Sequence, residues 1–258
     1  GVIIIREDFD LIIHKLDKDL PYINIYPIGD LHIGSKEFNL DAFQRWKKMV
    51  MDDEFAKVVI VGDIMDMATK DSKTNIYEAT MNPYEQKEWV TNEFRDFKDK
   101  ILAGIQGNHE YRSNNLLGIC PMYDVLAKLD LEDLYRPNMA FIKVNLGSRN
   151  ADRQCSYNIV LAHGQAKGRT KQFPYVIDGM DVMITGHFHT PENHIRSKIV
   201  IDSKNESVGM KEFIHLSVPS FTNYGGYVMR GLFIPNDGNK IPILQLDGSK
   251  KDVRLSWV

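Results

Sequence analysis

Only two cysteines occur in the 258 residues, Cys120 and Cys155, far apart and outside any CxxC spacing. That excludes a disulfide framework and a thiolate metal site, and both read as small apolar residues of an interior. No apolar run approaches the roughly 20 residues of a membrane span, so no membrane partner is expected. Residues 1–8 have neither a basic n-region nor a long apolar h-region. They do not read as a secretory signal, and the cytoplasm is the expected location. No sign of charge dominates either: 32 Lys and Arg against 35 Asp and Glu leave a net charge of −3. This excludes a uniformly basic protein that coats nucleic acid, while leaving room for a local basic groove. Repeats, low-complexity tracts and Pro/Ser-rich linkers are missing as well. With 43% hydrophobic and 26% charged residues, what is present suits a globular protein large enough to need no stapling. One domain over residues 1–258 is expected.

Segments of strand length, rich in Ile and Val, recur at 22–28, 57–61, 101–105, 156–161 and 181–185. Between the first two, Phe43, Trp46 and Val50 mark one helix face that Asn39 caps. Asn82-Pro83 reads as N-cap and first residue of a second helix with an apolar stripe of Tyr84, Val90, Phe94 and Phe97. A third helix is expected at 121–129. After residue 195 the pattern changes to short strands at 213–217, 228–234, 241–246 and 253–257, separated by Gly, Pro and Asn turns. A chain that begins as βαβ and ends mostly as β predicts an α/β (α+β) fold of two packed mixed sheets with helices outside. Two stretches, 67–81 and 166–173, read as long loops, which often carry binding groups.

Five polar clusters stand at or just past strand ends, where open α/β sheets place their sites. They are Gly29-Asp30-Leu31-His32, Gly62-Asp63-Ile64-Met65-Asp66, Gly107-Asn108-His109-Glu110, His163-Gly164 and Gly186-His187-Phe188-His189. Glycine allows a sharp turn before the polar residue. In extended chain, Asp-x-His and His-x-His put alternate side chains on one side. Taken singly, each Asp or Asn is a turn or cap residue, and His14, His194 and His215 have no ligand company. Together, five of the eight histidines fall in these clusters beside carboxylates and a carboxamide. A mixed oxygen and imidazole set without thiolate suits Mn²⁺, Fe, Zn²⁺, Ni²⁺ or Co²⁺. Seven or more ligands exceed one tetrahedral ion and suit two ions that share a bridge.

The order DxH…GDxxD…GNHE…HG…GHxH, over residues 30–189, resembles the calcineurin-like metallophosphoesterase superfamily. The resemblance implies a four-layer αββα fold and two divalent cations, with Mn²⁺ foremost and Fe, Zn²⁺, Ni²⁺, Co²⁺ or Mg²⁺ as alternatives. By position it implies that Asp30, His32 and His189 hold one ion and Asn108, His163 and His187 the other, with Asp63 bridging. His109 matches the family's leaving-group histidine and Asp66 the carboxylate that orients it. Two such cations, about 3.5–4 Å apart, would clamp phosphate oxygens and supply a bridging hydroxide for in-line attack on phosphorus. The resemblance implies that His109 then acts as general acid, help typically worth about 10²–10⁴-fold.

Departures from relatives narrow the ester. Met67-Ala68 replaces the Arg-Gly that follows GDxxD in protein Ser/Thr phosphatases. Asp66 stands where purple acid phosphatases carry a Tyr ligand, and His109 where lipid A precursor hydrolases carry Arg. Asp30-Leu-His-Ile-Gly34 and the approach to His189 are similar to Mre11/SbcD-type nucleases, of which this chain would be a compact form. A phosphodiesterase for DNA, RNA or a nucleotide is expected; a phosphomonoesterase for a small metabolite or nucleotide is the alternative. A non-catalytic scaffold and a nucleic-acid binding module that does not cleave are the readings from other classes. Lys167, Arg169 and Lys171 would present three cations if extended, set against a solvated loop. Asn114 is a candidate for the pocket or for helix capping, and Tyr175, Tyr224 and Tyr227 are candidates for stacking on bases, set against simple packing. The resemblance to dimeric nucleases also allows a homo-oligomer.

Overall fold

The Ile- and Val-rich segments pair into two mixed sheets in the computed structural model, which describes residues 9–70, 72, 76–150, 153–225, 229 and 240–258. The elements run β1 (Leu11–Lys15), β2 (Tyr22–Ile28), α1 (Leu40–Asp52), β3 (Ala56–Ile60), α2 (Pro83–Arg95), β4 (Ile101–Ile105), α3 (Asn108–Leu117) and α4 (Pro121–Lys128). They continue as β5 (Tyr135–Arg136), β6 (Met139–Asn150), β7 (Arg153–Ala162), α5 (Lys167–Gln172) and β8 (Val182–Thr185). The last are β9 (Glu192–Asp202), β10 (Ser207–Ser217), β11 (Pro242–Asp247) and β12 (Val253–Trp257). One sheet has the order β12-β11-β2-β3-β4-β5, the other β1-β6-β7-β8-β10-β9.

Central strands are apolar on both faces, as strands covered on both sides must be. In β2 and β3, Ile23, Ile25, Val59 and the following Val61 face the second sheet, where Ile142, Tyr157, Ile159, Leu161, Val182 and Leu216 meet them. The alternate residues Tyr26, Ile28, Val58 and Ile60 pack under Phe43, Trp46 and Val50 of α1, Val90 and Phe94 of α2, and Val125 of α4. On the other side, Tyr175 in the turn Phe173–Val176 after α5 stacks edge-on against Phe213, ring centroids 5.6 Å apart. Tyr157 bridges core and surface: its hydroxyl donates to the Asp247 carbonyl at 2.6 Å and accepts from the Asp252 N–H at 3.0 Å.

Both expected N-caps form: Asn39 accepts from the Ala42 N–H, and Asn82 from Tyr84 and Glu85. The stripe proposed for α2 needs one correction. Tyr84 is exposed, because it lies in the first turn before the helix reaches the sheet, and Gln86 is buried instead. The stretch 166–173 is largely the helix α5 and not a loop. All but one residue of the strand expected at 228–234 lies outside the described residues.

Candidate metal centre

Strands β2, β3 and β4 of one sheet and β7 and β8 of the other each lead into one of the five polar clusters. The first two clusters are zipped together, with the Asp30 N–H donating to the Gly62 carbonyl and the His32 N–H to that of Asp63, each at 3.0 Å. The backbone there is not extended. Asp30, His32 and Asp63 have φ of 51°, His189 55° and His187 75°, the left-handed region that non-glycine residues rarely enter. Each such residue costs on the order of 1–3 kcal/mol and persists only where its surroundings enforce it. Side chains thus converge by backbone turns at the ligand positions themselves, which replaces the expected alternation along an extended chain. The glycines mainly supply space: a Cβ on Gly107 would lie 2.1 Å from Asp63 Oδ1, and one on Gly186 2.9 Å from Asp30 Oδ2. Gly62 needs both space and its φ of 87°.

Two sets of donor atoms result. In the first, His32 Nε2 lies 3.1 Å from His189 Nε2, which is 3.7 Å from Asp30 Oδ1. In the second, His163 Nε2 is 3.0 Å from Asp63 Oδ2 and 3.1 Å from Asn108 Oδ1, and His187 Nδ1 is 2.8 Å from the same Asn108 oxygen. The His187 N–H donates to both Asp30 carboxylate oxygens, at 3.0 and 2.8 Å, and so ties the sets together. His163 Nδ1–H donates to the Val61 carbonyl at 2.8 Å, leaving Nε2 free to point inward.

This donor set fits divalent cations. Nitrogens bound to one ion at about 2.1 Å stand roughly 3 Å apart, as His32 and His189 do. Burial depresses the pKa of His32, His187 and His189, the last to about 4, so all three are neutral near pH 7, the form that ligates. Burial raises the Asp30 carboxyl. Burial also opposes charge on His163, but the adjoining Asp63 carboxylate outweighs it and raises the pKa. Asp63 itself, despite burial, is held well below the carboxylate range by His163 and His109.

His109 stands beside both sets. Its Nδ1 is 2.9 Å from the Asp66 carbonyl and 3.1 Å from Asp66 Oδ1, and its Nε2 is 3.9 Å from Asp63 Oδ2. Burial works against its charge, yet the Asp63 and Asp66 carboxylates raise its pKa. Asp66 also approaches His32 Nδ1, at 3.8 Å, so it belongs to the rim of the first set as well. Glu110 is a residue whose role the sequence reading missed. Fully buried, its carboxylate accepts from the N–H groups of Asp63 at 3.0 Å, Met65 at 2.9 Å and Gly107 at 2.8 Å. Its place three residues after the N-cap Gly107 was the available signal. Arg112, one turn on from His109, reaches the Asp66 carbonyl at 3.4 Å and Ser72 Oγ at 2.7 Å.

The expected substrate contacts divide. On helical backbone, residues four apart share a face and residues two apart do not. Lys167 and Lys171 turn to Glu192, at 3.8 and 3.5 Å, whereas Arg169 lines a cavity of about 470 Å³ against Asn108 and His163. Three cations aimed one way, the expectation for extended chain, are not what forms. Asn114 does not line this cavity, and its carbonyl closes α3 by accepting from the Gly118 N–H. Tyr175 packs on Phe213 and under Arg196, Tyr224 is exposed, and Tyr227 lies outside the described residues. His14 bonds the Leu102 carbonyl, and His194 and His215 lie apart from both donor sets.

A family model described as calcineurin-like phosphoesterase matches residues 23–191. No curated protein matches the sequence. Among solved structures, the chain is similar to a metallophosphoesterase from Sphaerobacter thermophilus, with 14% identity, 92% of this chain and 88% of that chain covered, and a TM-score of 0.44. It is similar to a Vps29 from Entamoeba histolytica complexed with zinc, with 14% identity, 92% and 98% covered, and a TM-score of 0.40. It is also similar to GAP50 of Plasmodium, described as the anchor in the inner membrane complex, with 12% identity, 92% and 84% covered, and a TM-score of 0.48. Likenesses this loose carry no weight for function. No described helix is long and apolar enough to cross a membrane.

Proposed function

The chain belongs to the calcineurin-like phosphoesterase family, and on that premise we propose that it hydrolyses phosphodiesters of nucleic acid or nucleotides with two divalent cations. The observation that carries this reading is the pair of adjoining donor sets, Asp30/His32/His189 and Asp63/His163/His187, with His109 beside them against Asp66. Asp30, His32 and His189 would hold one cation, and Asn108, His163 and His187 the other. Asp63, whose charge acts on residues of both sets, would serve both, and Mn²⁺ is the proposed ion. When bound, the cations would neutralise phosphate charge and acidify water to supply the nucleophile.

The chain's own side chains do the rest. Asn108 would ligate through a neutral amide oxygen and add no negative charge near an anionic ester. His109 Nδ1–H donates to the Asp66 carbonyl with the Asp66 carboxylate 3.1 Å away, which fixes the tautomer and leaves Nε2 to carry the mobile proton. As the bond between phosphorus and the leaving oxygen breaks, that proton passes to the oxygen, and His109 ends neutral. Glu110 holds the Asp63 turn against the start of α3, so that Asp63 and His109 keep their spacing.

Parallel assays on bis(p-nitrophenyl) phosphate and p-nitrophenyl phosphate with Mn²⁺, with Asp63→Ala as the blank, test the proposal. Diester hydrolysis that requires Mn²⁺ and Asp63 is the expected result. Turnover of the monoester alone would overturn the diester assignment, and no metal-dependent turnover of either would overturn the whole reading.

A further inference from the structure

The cavity of about 470 Å³ shares Asn108 and His163 with the metal centre and opens away from it between α3, α5 and the start of β6. Its size falls within the roughly 300–1,000 Å³ of sites that take one small ligand. The walls are unlike those of a structural void. Two aromatic rings, Tyr111 and Phe173, line it while remaining 46% and 40% exposed. Met139 and Met183 supply apolar surface, and carboxamides come from Gln106 and Gln165. No carboxylate is among the described residues that line it, and Arg169 adds a cation at the side.

We propose that this cavity holds one unpaired nucleoside attached to the scissile phosphate, a reading that rests on phosphodiester hydrolysis at the adjoining centre. The phosphate at Asn108 and His163 fixes where its ester group must go, and the cavity is the space next to them. Exposed aromatic rings with polarisable methionines suit a flat heteroaromatic base, which stacks without regard to sequence. Carboxamides both donate and accept, as the edge of a base requires: Gln165 is exposed, while Gln106 also accepts from Cys120 Sγ–H at 3.5 Å. A base pair within a duplex cannot present one base to a cavity of this size without leaving its stack. Arg169 is the group placed to meet a further phosphate if the nucleoside belongs to a strand.

The test compares thymidine 5′-(p-nitrophenyl) phosphate with bis(p-nitrophenyl) phosphate, in wild type, Tyr111→Ala and Phe173→Leu. The wild type should favour the thymidine ester, and each substitution should cut that preference about 5- to 150-fold, mainly through KM. Binding of thymidine monophosphate to metal-free protein, read by calorimetry, should weaken in the same variants. Equal hydrolysis of both diesters with variant-independent thymidine monophosphate binding would overturn the nucleoside site while leaving diester hydrolysis standing. Variant-sensitive binding without any turnover would do the reverse. Arg169→Gln separates the two sources of the nucleoside. A rise in KM on a single-stranded oligonucleotide, with none on the thymidine ester, assigns a strand end; the same KM on both as in wild type assigns a free nucleotide ester. Cleavage of blunt duplex as fast as single strand would contradict the proposal in either form.

Discussion

Glu110→Gln is the sharpest perturbation of how the centre is held. The carboxylate is fully buried and accepts three backbone N–H bonds of 2.8–3.0 Å, two at Oε2 from Asp63 and Gly107 and one at Oε1 from Met65. Glutamine keeps one acceptor oxygen. If that oxygen takes the Oε2 position, the Met65 N–H faces an NH₂ donor and loses its partner, at a cost of about 1–3 kcal/mol. The two remaining bonds lose their charge assistance, a further kcal/mol or so. Relief of the buried charge, which burial and the Asp63 carboxylate already disfavour, offsets part of this. A net loss of about 2–3 kcal/mol remains, and at about 2–4 °C per kcal/mol for a chain near this size the Tm falls by roughly 4–12 °C. Because the Asp63 and Met65 N–H groups are held by this carboxylate, Mn²⁺ affinity should also weaken, by about 10- to 100-fold as for other groups that orient ligands. Thermal unfolding by circular dichroism and Mn²⁺ titration by calorimetry read the two effects. A Tm within 2 °C of wild type, together with unchanged Mn²⁺ affinity, would refute the reasoning.

Substituting His109→Gln should leave Mn²⁺ binding intact and lower kcat by about 10²–10⁴-fold; full activity in the metal-loaded variant would remove its assignment as acid. Tyr157→Phe removes the hydroxyl shared by the half-buried Asp247 carbonyl and Asp252 N–H and should destabilise by about 0.5–1.5 kcal/mol, seen as a lower Tm with unaltered activity per folded molecule. Burial first, then Arg196 and His194, lowers the pKa of His215 to about 4. A histidine depressed in the fold contributes stability above its unfolded value near 6.5, and that contribution is lost as pH falls toward 4, about 3 kcal/mol in all. His215→Gln should therefore flatten the fall in Tm between pH 6.5 and 4, and an identical fall in both proteins would contradict this.

The convergence of the five clusters was legible in the sequence because their side chains follow strands of simple apolar pattern, with polar residues at the exits. Helices α1 and α2 were legible for similar reasons: a cap residue and buried residues three or four apart. Helix α3 was not, since it begins within the Gly-Asn-His-Glu motif and its buried residues are Glu110 and Ser113. A helix that buries no apolar stripe leaves no periodicity to read. With six residues, α5 is too short to declare itself against the loop reading, and its charged residues concealed that Arg169 and the two lysines face different ways. Most hidden of all was the left-handed backbone at the Asp and His positions. Neighbouring clusters far off in sequence enforce it, so only the assembled sheets reveal it.

X-ray diffraction from crystals grown with Mn²⁺, phased at the manganese edge, addresses the pair of cations most directly. The account predicts two anomalous peaks, one among Asp30, His32 and His189, the other among Asn108, His163 and His187, with the Asp63 carboxylate touching both. A single peak, or peaks away from these side chains, would contradict it.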